Sequence, residues 1–292
     1  MGVVESITSE VVESKKQFGE STAVSTPTKS DVQSNVSQSA GGLIRRWRAA
    51  RRMSQMDLAL ESRISPRHLS FVETGRSNPS RATLSSVSIA LDLSLREHNS
   101  LMMAGGYSPT YPSTPWTAPE LQIVQRSLSE MVRAHAPFPA MVVDFRGDIL
   151  LANDTLLELV GDVADKQKPL NAYRLVLGQD GIADRIVNRD VWHSHMADWV
   201  IERAAETGDP ALLATAESVT ARPHTGRSDE RSMSSPVLPL LLEYDGDVLT
   251  LTSIRAYLTE PRDVTASELC LETFIPLDDC TRTALAKIAH LG

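Results

Sequence analysis

The sequence predicts an α+β chain of two domains: an all-α domain of five short helices, then an antiparallel sheet with flanking helices. Three observations carry this. From Leu43 to Ala104, apolar residues recur at helical spacing in five segments punctuated by serine caps and glycines. Pro109, Pro112, Pro115 and Pro119 then interrupt the chain where neither a helix nor a central strand would tolerate them. Beyond them, β-rich apolar runs fold back at Arg146-Gly147 and Asp245-Gly246, the second being an Asp-Gly hairpin signal. At 292 residues and 31.9 kDa, with 41% hydrophobic residues, the chain can bury two cores.

In chain order, residues 1–39 are rich in Ser, Thr, Val, Gln and Lys without periodicity and are expected to be a disordered tail. The first helix should pack Leu43, Ile44, Trp47 and Ala50 inward. Ser54 caps a second helix through Met56, Ala59 and Leu60 to Ser62. After a tight turn, Ser65 caps a third with Pro66 on the first helical position, and Gly75 ends it. Leu69 and Val72 face the second helix, which leaves Arg67, His68, Ser70, Phe71 and Thr74 outside. This is a helix-turn-helix layout. A fourth helix carries Leu84, Val87, Ala90 and Leu91, and a fifth brings Leu101, Met102 and Met103 to the core before Gly105-Gly106. Residues 40–107 thus form the first domain, 108–119 a semi-rigid linker, and 120–292 the second domain.

The second domain opens on an amphipathic helix (Leu121, Val124, Leu128, Met131, Val132). Strands at Ala140–Phe145 and Asp148–Ala152 follow, then a helix capped by Asn153-Asp154 and closed by Gly161. Residues 173–187, 192–205 and 211–219 look helical, and Arg222–Ser235 is polar and loop-like. Strands at Val237–Tyr244, Val248–Tyr257 and Leu269–Ile275 complete a five-stranded sheet, and a last helix is capped near Asp279.

Charge is unevenly shared. Between Ala40 and Gly106 ten Arg and no Lys face five acids, giving +5, so the overall −8 leaves −13 on the remainder. A basic module on an acidic chain suits a nucleic-acid reader with a second domain that does not bind it. Cys270 and Cys280 alone offer neither a disulfide framework nor a zinc site. No apolar run approaches the roughly 20 residues of a membrane span, so a cytoplasmic protein with no membrane partner is expected. Nucleophile elbows, phosphate-binding glycine loops and HExxH are missing. His193 and His195 point apart on a helix, and Glu243, Asp245 and Asp247 suit a solvated turn. The expectation is therefore no enzyme, no metal and no cofactor.

The phrase Ser54-Gln55-x-x-Leu58-Ala59, Ile64-Ser65, Val72-Glu73-x-Gly75, Pro79-Ser80 resembles the Cro/repressor (XRE) class of helix-turn-helix domains over Leu43 to Tyr107. The resemblance implies a recognition helix in the major groove of double-stranded DNA. It puts Arg67, Ser70 and Phe71 at base-reading positions, Gln55 and Ser65 on phosphates, and Arg48 with Glu73 as a structural ion pair. The loop after the third helix, with Arg76, Asn78 and Arg81, suits further phosphate contacts. Where the class has a turn glycine this chain has Arg63, so the turn is expected to adjust its shape.

Together with Arg45-Arg46-Trp47-Arg48, the runs Arg67 to Arg76, Ala104 to Pro109 and Pro137 to Asp144 resemble regulators carrying an MmyB-like ligand-binding domain. That implies a PAS-like sheet enclosing a small apolar, fatty-acyl-like ligand, held non-covalently, that adjusts DNA affinity. Trp192, Met196 and Trp199 form an apolar stripe expected to line such a pocket. The alternative is a second domain that serves dimerisation or protein docking, with no small ligand. A homodimer would set two recognition helices about 34 Å apart on a palindromic operator.

Overall fold

The computed structural model describes residues 39–220 and 237–289; the expected tail, save Ser39, and the loop expected at Arg222–Ser235 lie outside them. Five helices open the chain: α1 Ala40–Ala50, α2 Gln55–Glu61, α3 Pro66–Glu73, α4 Arg81–Ala90 and α5 Leu95–Ala104. Each begins at a serine whose hydroxyl accepts a backbone N–H of the first turn: Ser39, Ser54, Ser65, Ser80 and Ser94. At Ser54 and Ser94 the carboxylates of Asp57 and Glu97 return the bond to the cap's own N–H. These caps let helices of seven to eleven residues stand where propensity alone would leave them marginal.

The core of this bundle holds Ile44, Trp47, Leu58, Leu69, Leu84 and Leu101. Gly41 lets α1 approach the end of α3, since a Cβ there would sit 2.2 Å from the Val72 carbonyl oxygen. Several apolar positions expected inside are outside. Ala50 and Met103 are exposed, and Met56 and Leu60 are 55% and 69% exposed. Helix α2 buries only the edge of Leu58, Ala59 and the cap Ser62, so Met56 and Leu60, one turn apart, share the outward side. Arg63 takes up the left-handed conformation at φ 56°, which glycine would adopt without strain.

A 3₁₀ turn at Pro119–Leu121 leads into α6, Gln122–Ala134. Strands β1 Ala140–Val143 and β2 Ile149–Ala152 form the first hairpin; α7 Asp154–Val160, α8 Asp162–Lys166 and α9 Ala172–Leu177 follow. Next come α10 Arg189–Thr207 and α11 Pro210–Thr220, then the hairpin β3 Leu240–Tyr244 and β4 Asp247–Tyr257. Short α12 Val264–Ser267, β5 Cys270–Pro276 and α13 Asp279–Ile288 close the domain. Residues 173–187 are not one helix: α9 ends at Gly178, and after Gly181 only a 3₁₀ turn at Ala183–Arg185 forms. Met131 of α6 is exposed as well.

The sheet order is β2-β1-β5-β4-β3, antiparallel throughout, the PAS-like architecture that the resemblance implies. Strand alternation sorts its two faces. Ala140, Val142, Leu269 and Leu271 meet Leu128 and Val132 of α6. Met141, Val143, Cys270 and Phe274 turn the other way, toward α7, α9 and α10. With both faces of β1 covered, its residues are buried without a break.

The proline-rich segment is pinned down along its length. The Asn99 side chain accepts from Thr110 N (2.8 Å) and Tyr111 N (3.0 Å) and donates to the Tyr111 carbonyl (2.7 Å). Pro112 O accepts from Val264 N, and Thr114 N donates to Asp263. At the seam between the domains, Arg96 of α5 makes a bidentate pair with Glu268 at 2.6 and 2.7 Å, its guanidinium 4.3 Å over the Phe145 ring.

Candidate functional site: the recognition helix and an apolar cavity

On the outer face of α3 the Arg67 guanidinium lies 5.3 Å from the centroid of the Phe71 ring, one turn further on. Ser70 is half-buried, and helical spacing puts it within about 60° of Arg67 on the other side from Phe71, so the three residues expected to read bases share one face. Behind that face Glu73, 3% exposed, gathers the bundle. Arg48 Nε and Nη2 donate to its two carboxylate oxygens at 2.9 and 3.1 Å, and Gln55 Nε2 donates at 2.9 Å. Arg45 Nη2 donates to the Glu73 backbone carbonyl at 2.7 Å. The Arg48–Glu73 pair forms as expected and ties α1, α2 and α3 together; it also holds the Arg48 guanidinium above its ordinary pKa.

The residues expected to hold phosphates fall into two groups. Ser65 accepts the His68 N–H, which leaves its own hydroxyl hydrogen for an outside acceptor. Arg76 and Asn78 are exposed on the loop after α3. Gln55 and Arg81 are occupied. Gln55 is drawn onto Glu73, while Arg81 donates to the Ser108 carbonyl at 2.8 Å and lies 5.7 Å over the Tyr107 ring. Arg81 therefore braces the exit from α5 while its side chain stays exposed.

Between the sheet and α7, α9 and α10 lies a cavity of about 840 Å³. Leu156, Ile186, Leu240 and Leu242 make an apolar part of its lining, joined by Trp192, Met196 and Trp199, the three residues singled out from sequence. Trp192 is fixed by donating Nε1 to the Pro239 carbonyl at 2.7 Å. Polar residues form a belt in the same lining. The Tyr173 ring packs against Trp199 at 5.2 Å between centroids, tilted by 47°, and the Arg255 guanidinium lies 5.1 Å over the same indole and 3.3 Å from Glu272. The Tyr173 ring is held by Gly147 in the β1–β2 turn, where a Cβ would come within 2.5 Å of it. Asn171 caps α9 by accepting the Tyr173 and Arg174 N–H groups, and it donates to the Arg146 carbonyl across the turn. Burial pushes the Tyr173 phenol well above its usual range and raises the Cys270 thiol, so both stay protonated near neutrality.

A family described as the MmyB-like transcription regulator ligand binding domain matches residues 124–288, more than half of the chain. The chain belongs to that family. A helix-turn-helix family matches residues 44–98. The protein is thus a DNA-binding transcription regulator with an MmyB-like ligand-binding domain. No curated protein matches. Among solved structures, an RNA-binding light-oxygen-voltage receptor aligns over 92% of this chain and 69% of its own, at 11% identity and a TM-score of 0.24. A likeness that slight bears on neither fold nor function.

Several residues of the MmyB-like cavity were invisible to motif reading: Tyr173, Arg255 and Glu272 in the belt, and Trp47 and Arg96 toward the seam. One signal was there. Arg255 interrupts the inward positions of β4 after Leu249 and Leu251, and Glu272 stands inward on β5 between Cys270 and Phe274. A charged residue at an inward strand position needs a partner or a function.

Proposed function

We propose that this chain is a cytoplasmic, sequence-specific transcription regulator whose MmyB-like domain senses a small apolar, fatty-acyl-like ligand held without covalent attachment. The cavity of about 840 Å³, lined mainly by apolar side chains, carries this reading, because a domain built only for docking would fill its core. Arg67, Ser70 and Phe71 read base edges; Ser65, Arg76 and Asn78 hold phosphates. Two copies related by a twofold axis would address a palindrome. No metal or cofactor is needed, and among the described residues no helix is long and apolar enough to cross a membrane.

Native mass spectrometry of the full chain tests the assembly and the ligand together. The expected result is a dimer of the 31.9 kDa chain that carries an extractable apolar molecule and retains it in complex with operator DNA. A monomer that takes up no apolar molecule would refute the sensor reading.

A further inference from the structure

Domains joined through a short linker ordinarily move against each other unless something restrains them. Here the linker is tied to both domains, to Asn99 of α5 and to Asp263 and Val264 at the start of α12. One turn before Asn99, Arg96 meets Glu268, just past α12, in the one ion pair among the described residues that joins the domains. Glu268 is 8% exposed, and a carboxylate so deep needs a partner. Its two oxygens take Nε and Nη2 of Arg96, a fork that fixes direction as well as distance.

A second set of contacts leads away from this pair into the sensor domain. The Arg96 guanidinium lies over the Phe145 ring, and so does that of Arg146, at 5.0 Å. Arg146 donates Nε and Nη2 to Asp209 Oδ2 at 3.1 and 2.8 Å. Asp209 directly follows the Gly208 that ends α10, and its other oxygen caps α11 by accepting the Ala211 and Leu212 N–H groups. The bond to Glu268 holds the Arg96 pKa above its ordinary value, and the charges of Arg146 and Asp209 act on it as well. Helix α10 brings Trp192, Met196 and Trp199 to the cavity, and Phe145, Arg96 and Glu268 line that cavity too.

We infer that Arg96 is the pin of a joint: it fixes the DNA-binding bundle against the sensor domain and passes to it displacements of α10 received through Asp209, Arg146 and Phe145. This extends the sensor reading to its regulation and rests on that reading only for what moves α10. A displaced α10 carries Asp209 and Arg146 with it and moves Phe145 against the Arg96 guanidinium. The fork then holds Glu268 or opens, so the bundle is either pinned or free. Glu97, the neighbour of Arg96, lies 3.8 Å from Arg51 just past α1, the helix whose Arg48 grips Glu73 at the end of the recognition helix.

The test is pulsed electron–electron double resonance on the full chain. One nitroxide sits on the native Cys280, exposed on α13, and the other on Ile89→Cys, at a position 81% exposed on α4; Cys270 is buried. Labelled chain is diluted with unlabelled chain, so that each pair of spins belongs to one copy. A pinned joint gives one narrow distance distribution. Arg96→Met and Glu268→Gln should each widen it, the second without stranding a buried charge. Asp209→Asn should widen it as well, although its Oδ1 still caps α11 and the side-chain bonds of Asp209 all stay within the sensor domain. A broad distribution before any of these replacements, or a narrow one that survives both Arg96→Met and Glu268→Gln, overturns the inference. So does a narrow distribution in Asp209→Asn beside broad ones in the other two, since nothing then passes from α10. Each of these results leaves the sensor reading standing, because none depends on what the cavity holds.

Discussion

Replacing Arg48 with methionine should destabilise the DNA-binding bundle far more than replacing Glu73 with glutamine. The Glu73 side chain is 3% exposed and that of Arg48 17%, and the carboxylate takes two hydrogen bonds from Arg48 and one from Gln55. Arg48→Met removes two of the three and strands a buried charge, at a cost of about 3 to 5 kcal/mol. Glu73→Gln keeps an acceptor for one Arg48 bond, removes the buried negative charge and leaves a guanidinium that can still reach water, so a loss of about 1 to 2 kcal/mol follows. The double replacement Arg48→Met with Glu73→Leu should recover much of the larger loss, because no charge remains to be stranded. Urea unfolding of the full chain, followed by far-ultraviolet circular dichroism, gives all three values from the shift of the first transition. Equal losses in the two single variants, or a double variant as unstable as Arg48→Met, would refute the reasoning.

Other expectations follow from the same geometry. Arg67→Ala should abolish discrimination between operator and unrelated DNA in a competition assay while the fold persists; full specificity in that variant would show that α3 is not the reading helix. Arg76→Ala should weaken binding to all DNA alike and lower the salt slope by about one, as read from a salt titration. Leu242→Trp adds volume to the cavity wall and should prevent uptake of an apolar probe at little cost in thermal stability, whereas unaltered uptake would place the ligand elsewhere. Burial, helped by Arg81, lowers the pKa of His98, which bridges Ser88 and Thr110 at 2.8 and 3.1 Å. The fold therefore favours the neutral ring. Its contribution is complete above the ordinary value of 6.5 and is lost as pH falls below it, so His98→Gln should flatten the pH dependence of unfolding in that window.

The bundle was legible because its signals are local. Serine caps at Ser54 and Ser65, Pro66 at a helix start and Gly75 at a helix end each act within a turn, and the folded helices begin and end there. Rotation about each helix axis was harder. Met56 and Leu60 fit an apolar period, yet which stripe faces inward is settled by partners on other helices. Both hairpins appeared where Gly147 and the Asp245-Gly246 pair permit positive φ. The break at Gly178 and Gly181 was masked by apolar residues on either side. The cavity was least legible of all. Tyr173, Arg255, Glu272 and Trp47 come from four separate elements, and only strand register and the docking of the two domains bring them to one space.

The most direct measurement is a titration of the full chain against the DNA flanking its own gene across a salt series, with and without a lipid extract. Sequence-selective binding that weakens with salt and changes in midpoint when the extract is added is the expected result. Selective binding indifferent to the extract would contradict a ligand-controlled regulator, and the second domain would then serve dimerisation or docking.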